Sequence, residues 1–230
     1  MTNGCMQGDT REDAGHAAAR TLQPRLAAGI VLKDGFARPL RLVAGLDAGF
    51  EDQGRTVRAA AVLVDADTLK PLASEVVRMA ASPCIPGQPG FGEMPALLAA
   101  LERLPRRPDL AFVHGHGVAH PQRFGIASQL GVAAELPSIG VADDVLAGGG
   151  STPHQTRGAY TALRDGREQL GWLLRSRVDS PPLVVSPGHR VALASAADLV
   201  MRFVATDRLP EPLRLAGRLS SDCGQRERRS

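Results

Sequence analysis

The stretch Leu110–Leu130 constrains the fold of this chain more than any other part of the sequence. It begins with a short apolar run, Leu110–Val113, of the kind that forms a buried strand. A glycine-punctuated loop follows at 114–117, and the spacing of the apolar residues in 124–130 then becomes helical. Proteins of the α/β class place ligands where a strand passes through such a loop into a helix. The stretch therefore predicts an α/β fold with a ligand site at this loop.

The strands on either side of this stretch extend the prediction to a mixed sheet. Apolar runs at 40–50, 57–65 and 72–79 predict three strands, and the short connections between them favour an antiparallel meander. Later strands alternate with helices, as in an α/β layer. The strands are predicted at 110–113, 137–142, 168–177 and 182–186, and the helices at 94–104, 124–134 and 188–204. A sheet with helices on both faces fits this order.

Length and composition bound the organisation of the chain. With 230 residues and 43% hydrophobic content, we expect a single domain over 1–230, ordered from about residue 10 to 218 with flexible ends and a helix at 10–30. Three scattered cysteines exclude a zinc knuckle and a disulfide framework. The net charge of +3 permits a nucleic-acid partner without indicating one. A polar start and the absence of a long apolar run predict a cytoplasmic protein with no membrane contact.

Three acidic or histidine residues stand out, and each has two readings. Asp47 lies in an apolar run, where it either binds a metal or caps the turn at Gly49. Glu93 precedes a helix, where an acid also favours the helix dipole. His189 falls at the predicted start of the last helix, where a histidine is more often a cap than a catalyst.

The loop at 114–120 holds three of the six histidines, His114, His116 and His120. Neutral imidazole is a good ligand for zinc, so a histidine metal site is one reading of this cluster. The unequal spacing of the three makes it a weak signal beside a motif such as HExxH.

Taken together, these segments resemble the endonuclease V family of metal-dependent nucleases, over about residues 42–214. The similar segments occur in the family's order with similar spacing, and they are Ala44–Phe50, Cys84–Gly87, Glu93–Leu98, Gly115–Gly117, His120–Pro121, Gly125–Ser128, Pro137–Ala142, Gly188–Val191 and Arg208–Pro212. The resemblance implies a ribonuclease H-like fold, in agreement with the mixed sheet. It implies an enzyme that nicks DNA or RNA near deaminated purines such as inosine, and we expect a monomer.

The resemblance also assigns roles to individual residues. It implies that Asp47 and Glu93 hold Mg²⁺, or Mn²⁺, which activates a water for attack on the phosphodiester. His189 matches a histidine that assists catalysis. The loop Pro83, Cys84, Ile85, Pro86 and Gly87 matches a wedge that separates the strands. The same comparison makes Gly115, His116, Gly117 and Asp143 candidates for contact with the substrate.

The chain departs from the family pattern at several of these positions. His114 stands where the family has the aspartate of its DGHG motif, which makes His114 a catalytic and metal-ligand candidate of altered chemistry. Asp143 replaces a lysine, and Cys84 replaces a tyrosine whose ring would stack against a base. Gln122 stands where a basic residue is usual, and Ala194 where an acid is frequent.

Two functions follow from this mixture of matches and departures. The first is an active nuclease with a reduced rate or an altered metal preference, since a histidine ligand would favour Mn²⁺, Co²⁺ or Zn²⁺ over Mg²⁺. Asp143 could then supply a replacement carboxylate if its loop folds toward Asp47. The second is a catalytically degraded homologue that binds nucleic acid or another partner without cleaving it.

Overall fold

A computed structural model describes residues 27–81 and 92–221 of the chain. The strands are β1 Leu42–Glu51, β2 Thr56–Asp65, β3 Pro71–Ala80, β4 Leu110–His114, β5 Ser138–Ala142, β6 Tyr160–Asp165, β7 Glu168–Leu174 and β8 Leu183–His189. The helices are α1 Met94–Glu102, α2 Ile126–Ala133, α3 Leu193–Phe203 and α4 Glu211–Ser220. A short 3₁₀ turn at Asp52–Gly54 joins β1 to β2. The predicted helix at 10–30 and the wedge at 83–87 lie almost wholly outside the described residues.

The eight described strands form one sheet in the order β3-β2-β1-β4-β5-β8-β7-β6. Strands β1, β2 and β3 form the predicted antiparallel meander. Strands β1, β4 and β5 run parallel to one another, and β8 then returns antiparallel to β5. Strand β2, the second strand from one edge of the sheet, is buried along almost its whole length, which explains why its sequence is one apolar run. The predicted mixed α/β sheet is confirmed.

Helices cover both faces of the sheet, as the sequence predicts. Helices α1 and α2 pack on the face formed by Leu42, Ala44 and Leu46 of β1 and their neighbours. Helices α3 and α4 pack on the opposite face, where the Phe112 and Phe203 rings meet edge to face with centroids 5.3 Å apart. Among the described residues, no helix is both long and apolar enough to cross a membrane.

Helix α4 lies directly against β1, and a glycine makes this approach possible. A Cβ atom on Gly45 would lie 2.1 Å from the backbone carbonyl of Pro212, so no larger residue fits without moving the helix. The far end of α4 is fixed by Arg58, whose Nε donates a hydrogen bond to the carbonyl of Leu219 (2.7 Å). The helix is thereby held beside Asp47, in the second half of β1.

The structure corrects the prediction in three places. Residues 188–192 are not helical, because β8 continues through Pro187 to His189 and α3 begins only at Leu193. The pairing of β8 with β5 is irregular at this point, which accommodates a proline within a strand. Strand β6 was not predicted, and it forms a hairpin with β7. The segment after Arg218, predicted to be disordered, continues as α4 to Ser220.

Candidate active site

The parallel strands β4 and β5 end beside Asp47 of β1, and this arrangement brings three predicted site residues together. The register pairs Leu46 with Val113 and His114 with Val141, so Asp47 and His114 are neighbours and Asp143 follows directly after β5. Glu93 is the residue that precedes α1, and it lies at the same edge of the sheet. This is the edge at which α/β sheets bind ligands. The structure brings Asp47, Glu93, His114 and Asp143 together, and the loop of Asp143, whose direction the sequence left open, folds toward Asp47.

These residues line a cavity of about 400 Å³. Its polar lining consists of four carboxylates and two imidazoles, from Asp47, Glu93, Asp143, Asp144, His114 and His116. Neighbouring carboxylates repel one another unless a cation lies between them. Positive charge inside the cavity would therefore stabilise these carboxylates.

His114 supplies part of that positive charge because its ring bridges two carboxylates. Its Nδ1 lies 2.7 Å from Oδ1 of Asp47, and its Nε2 lies 3.4 Å from Oδ2 of Asp143. An ionised carboxylate only accepts hydrogen bonds, so both ring nitrogens are best satisfied when both carry protons. The hydrogen bond to Asp47, opposed by burial and reinforced by the charges of Asp47 and Asp143, raises the pKa of His114 to about 9.

The two carboxylates on either side of His114 are each fixed by a second partner. Ser220 of α4 donates a hydrogen bond from Oγ to Oδ2 of Asp47 (2.5 Å). Arg208 donates from Nη1 to Oδ1 of Asp143 (2.6 Å), and its own Nε bonds to the carbonyl of Pro181. A chain of alternating charges, Asp47, His114, Asp143 and Arg208, therefore crosses the mouth of the cavity.

Glu93 lies in a different environment from Asp47. Burial, and next the negative charge of Asp47, raise the pKa of Glu93, while the charge of His114 lowers it. A carboxylate whose pKa is raised binds a proton more tightly than an ordinary glutamate does. Glu93 is therefore the group at this site best suited to accept a proton from a water molecule.

The glycine loop after β4 has a mainly structural role. Gly115 has a φ of +125° and lies against Ile126, so a side chain there would meet Cγ2 of Ile126 at 2.5 Å. Gly117 donates a backbone hydrogen bond to Oγ of Ser186 on β8 (2.8 Å). His116 contacts the carbonyl oxygen of Asp144 through Nε2 (2.9 Å). Of the predicted substrate contacts, Gly115 and His116 line the cavity, and Gly117 packs behind it.

His189, predicted to be catalytic, does not line the cavity. It pairs with Ser138 at the beginning of β5, whereas His114 pairs with Val141 near the end of that strand. Its ring is buried, and its Nδ1 accepts a hydrogen bond from the backbone of Val31 (3.3 Å). Burial, and next the charge of Arg190, lower its pKa. His189 therefore lies at the opposite edge of the sheet, and its resemblance to a catalytic histidine does not match its position.

The site also contains residues that the sequence interpretation missed. Ser220 and Arg208 fix the two carboxylates, and Gly217 of α4 lies against Asp47, since a Cβ there would be in van der Waals contact with Oδ2 at 3.4 Å. The buried face of α4 repeats as Leu213, Ala216 and Ser220, which is a helical spacing. That periodicity was the available signal for the helix.

The divalent metal that the resemblance implies does not fit this arrangement. Asp47 and Asp143 are tied to His114, Ser220 and Arg208, and a doubly protonated imidazole has no lone pair for a metal. Within 27–81 and 92–221, no group of at least three His, Cys, Asp or Glu side chains is placed to hold an ion. This also removes support for a zinc site made by His114, His116 and His120. His120 is buried, and its Nδ1 accepts a bond from the backbone of Gln122 (3.2 Å).

The charge on His114 gives an expected pH dependence. In metal-free buffer, we expect the His114 ring to lose its proton at about pH 9, because the carboxylates on both sides stabilise the imidazolium. Two-dimensional NMR of the ring nitrogens measures this midpoint. His120 is an internal control, since burial lowers its pKa below the ordinary value of 6.5.

The same shift makes the stability of the fold depend on pH. Because the folded-state pKa of His114 is raised, its stabilisation is complete below pH 6.5 and is lost as the pH rises through about 9. The difference in unfolding free energy between the parent protein and His114→Gln should therefore shrink over this interval. A midpoint for His114 at or below 6.5 would contradict the bridging geometry.

The chain is similar to known proteins over most of its length. The family model described as Endonuclease V matches residues 24–218. Endonuclease V of Xanthomonas campestris pv. campestris (strain B100) is 50% identical over 216 residues, which cover 94% of this chain and 92% of the relative.

Solved structures give the same result. The crystal structure of endonuclease V from Streptomyces avermitilis superposes with a TM-score of 0.83 at 38% identity, covering 89% of this chain and 90% of the other. Endonuclease V of Ciona intestinalis, solved with a 24mer DNA containing an inosine followed by a ribo-adenosine, shares the fold, with a TM-score of 0.76 at 22% identity over 90% of this chain and 96% of the other.

Proposed function

This chain belongs to the endonuclease V family of metal-dependent nucleases, and we propose that it nicks DNA or RNA beside deaminated bases such as inosine, at a reduced rate. It is a nuclease of the hydrolase class by family. The observation that carries the proposal is the meeting of Asp47 and Glu93 in one cavity at the carboxyl edge of the sheet. The Ciona relative, which binds inosine-containing DNA, supports the choice of substrate.

The residues of the cavity suggest how the chain itself contributes to hydrolysis. While the His114 ring holds Asp47, Glu93, with its raised pKa, is the carboxylate that accepts a proton from the water that attacks the phosphodiester. Asp47 is held in one orientation by Ser220 and His114, so its carboxylate is preorganised. The positive charge of His114 faces the cavity, with 38% of its side chain exposed, and can attract a phosphate oxygen.

We propose that the metal is Mg²⁺ or Mn²⁺, as expected from the family. The described side chains, as arranged, offer no ligand set for it. The family aspartate that His114 replaces would have added a third carboxylate beside Asp47 and Glu93. Losing an electrostatic catalytic group costs roughly 10²- to 10³-fold in rate. We therefore propose an activity reduced by about this factor.

An assay with Asp47→Asn tests the proposed activity. We expect the purified parent protein to nick inosine-containing DNA or RNA slowly with Mg²⁺ or Mn²⁺, and Asp47→Asn to lower the rate by about 10²-fold. Gel resolution of end-labelled oligonucleotides under single-turnover conditions measures both rates.

Asp67→Asn is a matched control for this variant. Asp67 lies on the surface, where it pairs with Arg202 (3.3 Å), and such exposed pairs contribute little to stability. We expect it to nick at the parent rate. Nicking that is absent with both metals, or that survives Asp47→Asn unchanged, would refute the proposed activity.

A second function, binding without cleavage, is favoured by one observation. The place between Asp47 and Asp143 is filled by His114, which leaves no metal ligand set among the described residues. A salt series with inosine-containing and undamaged oligonucleotides measures binding separately from nicking. Selective binding with no turnover would favour this second function, whereas measurable turnover favours the first.

We also propose that the protein is cytoplasmic and that it is a monomer. Light scattering on the eluting peak of a size-exclusion column tests the monomeric state, for which we expect the mass of a single 24.2 kDa chain. A doubled mass would refute it.

A further inference from the structure

The metal-ligand set expected at the carboxyl edge of the sheet is replaced by an internal ion-pair chain. His114 is the only side chain of the described cavity lining that bonds to carboxylates on both β1 and the end of β5. It therefore occupies the region between Asp47 and Asp143, where a divalent cation would otherwise neutralise both.

We infer that the His114 side chain is a built-in counter-ion that competes with divalent metal for the carboxylates of this cavity, rather than a ligand of that metal. A metal then binds Asp47 and Glu93 only after the His114 ring has left its place. The inference concerns metal affinity, so it holds or fails independently of whether the chain nicks nucleic acid.

The contacts of the carboxylates support competition. Asp47 accepts a hydrogen bond at one oxygen from the His114 ring at 2.7 Å and at the other from Ser220, so a metal at Asp47 would share both oxygens with these donors. Asp143 is held from the other side by Arg208 at 2.6 Å, which adds a second fixed positive charge near the cavity. Each of these charges repels an incoming cation.

The competing interpretation, in which His114 is a metal ligand, makes the opposite prediction for one substitution. Removing a ligand weakens metal binding, whereas removing an internal cation strengthens it. The sign of the change in metal affinity in His114→Ala therefore separates the two. His114→Gln offers a second test, since it removes the charge while nearly keeping the volume, and it serves if the alanine variant unfolds.

The probe is Mn²⁺ alone, with free Mn²⁺ measured by electron paramagnetic resonance during titration of the full chain. We expect His114→Ala and His114→Gln to bind Mn²⁺ about tenfold or more tightly than the parent protein, because a like charge a few ångströms away is removed. We expect His114→Lys, which keeps a positive charge, to bind as weakly as the parent.

Adding Asp47→Asn to the His114→Ala background locates the binding. We expect this double variant to lose the gained affinity, which places the ion at the cavity and not elsewhere on the surface. Mn²⁺ affinity that is unchanged or weaker in both His114→Ala and His114→Gln would overturn the inference. A parent protein that fails to nick would refute the proposed activity and would leave this result untouched.

Discussion

The double substitution His114→Asp with Asp143→Lys is expected to raise the rate of nicking of inosine-containing DNA by roughly 10²- to 10³-fold, the usual value of one electrostatic catalytic group. The new aspartate would end β4 beside Asp47 and across from Glu93, so its carboxylate would join those of Asp47, Glu93 and Asp144 in the cavity lining. Such a set of oxygen ligands suits Mg²⁺. The lysine removes the carboxylate of Asp143, which would otherwise lie beside the new aspartate and repel it.

The two single variants show how much of the increase in nicking rate comes from each substitution. We expect His114→Asp alone to recover most of the increase, and Asp143→Lys alone to recover little, since His114 would still contact Asp47 at 2.7 Å. Adding Asp47→Asn to the double variant should abolish the gain. Single-turnover rates with Mg²⁺ measure all four proteins. A folded double variant that nicks no faster than the parent would show that His114 does not limit the reaction.

Gly45→Ala is expected to lower the free energy of unfolding by about 3 kcal/mol, the upper part of the usual range for overpacking. The added methyl group would lie 2.1 Å from the backbone of Pro212, which is not a flexible side-chain end and cannot rotate away. Helix α4 would have to move off β1. Because Ser220 at the end of α4 bonds to Asp47, the change should also disturb the cavity.

Gly149→Ala is the matched control for this substitution. No atom lies within 4 Å of a Cβ placed on Gly149, and its φ is outside the left-handed region. We expect a change within about 0.5 kcal/mol, as for an ordinary surface substitution. Urea unfolding followed by circular dichroism gives both values. Equal stability of the two variants would mean that α4 does not pack on Gly45 as described.

The parts of the fold set by local pattern were predictable from the sequence. The meander β1–β3 follows from apolar runs with short connections, and β4 and α2 follow from a change of period on either side of the glycine loop. In each of these elements, nearby residues decide the structure. The meeting of Asp47 and His114 was implied only by the resemblance, and the parallel pairing of β1 with β4 produces it.

The sequence interpretation fails where contacts between distant parts of the chain determine the structure. Pro187 and Gly188 look like a turn, yet pairing with β5 keeps them extended and carries His189 to the opposite edge of the sheet. The polar character of the last described residues hides Ser220, which is buried only because α4 docks on Gly45 and Asp47. Arg208 holds Asp143 from 65 positions away in the sequence. Contacts between such distant residues cannot be predicted from a local sequence pattern.

Two of the departures from the family pattern, at His114 and Asp143, are in contact with each other in the structure. On the resemblance described above, His114 and Asp143 stand where the family has an aspartate and a lysine, which would exchange the signs of the two charges between neighbouring strand ends. The exchanged pair lies in contact at 3.4 Å, and Arg208 completes the chain of charges. We therefore interpret the two substitutions as one compensated change that neutralises the cavity from within.

Manganese anomalous diffraction from crystals of the parent protein and of His114→Asp tests this central claim most directly. At a Mn²⁺ concentration that saturates His114→Asp, we expect an anomalous peak in the variant between Asp47, Glu93 and the carboxylate introduced at position 114. In the parent, we expect no peak there and the His114 ring in hydrogen-bond contact with Asp47. A manganese ion coordinated by His114 in the parent would contradict the account.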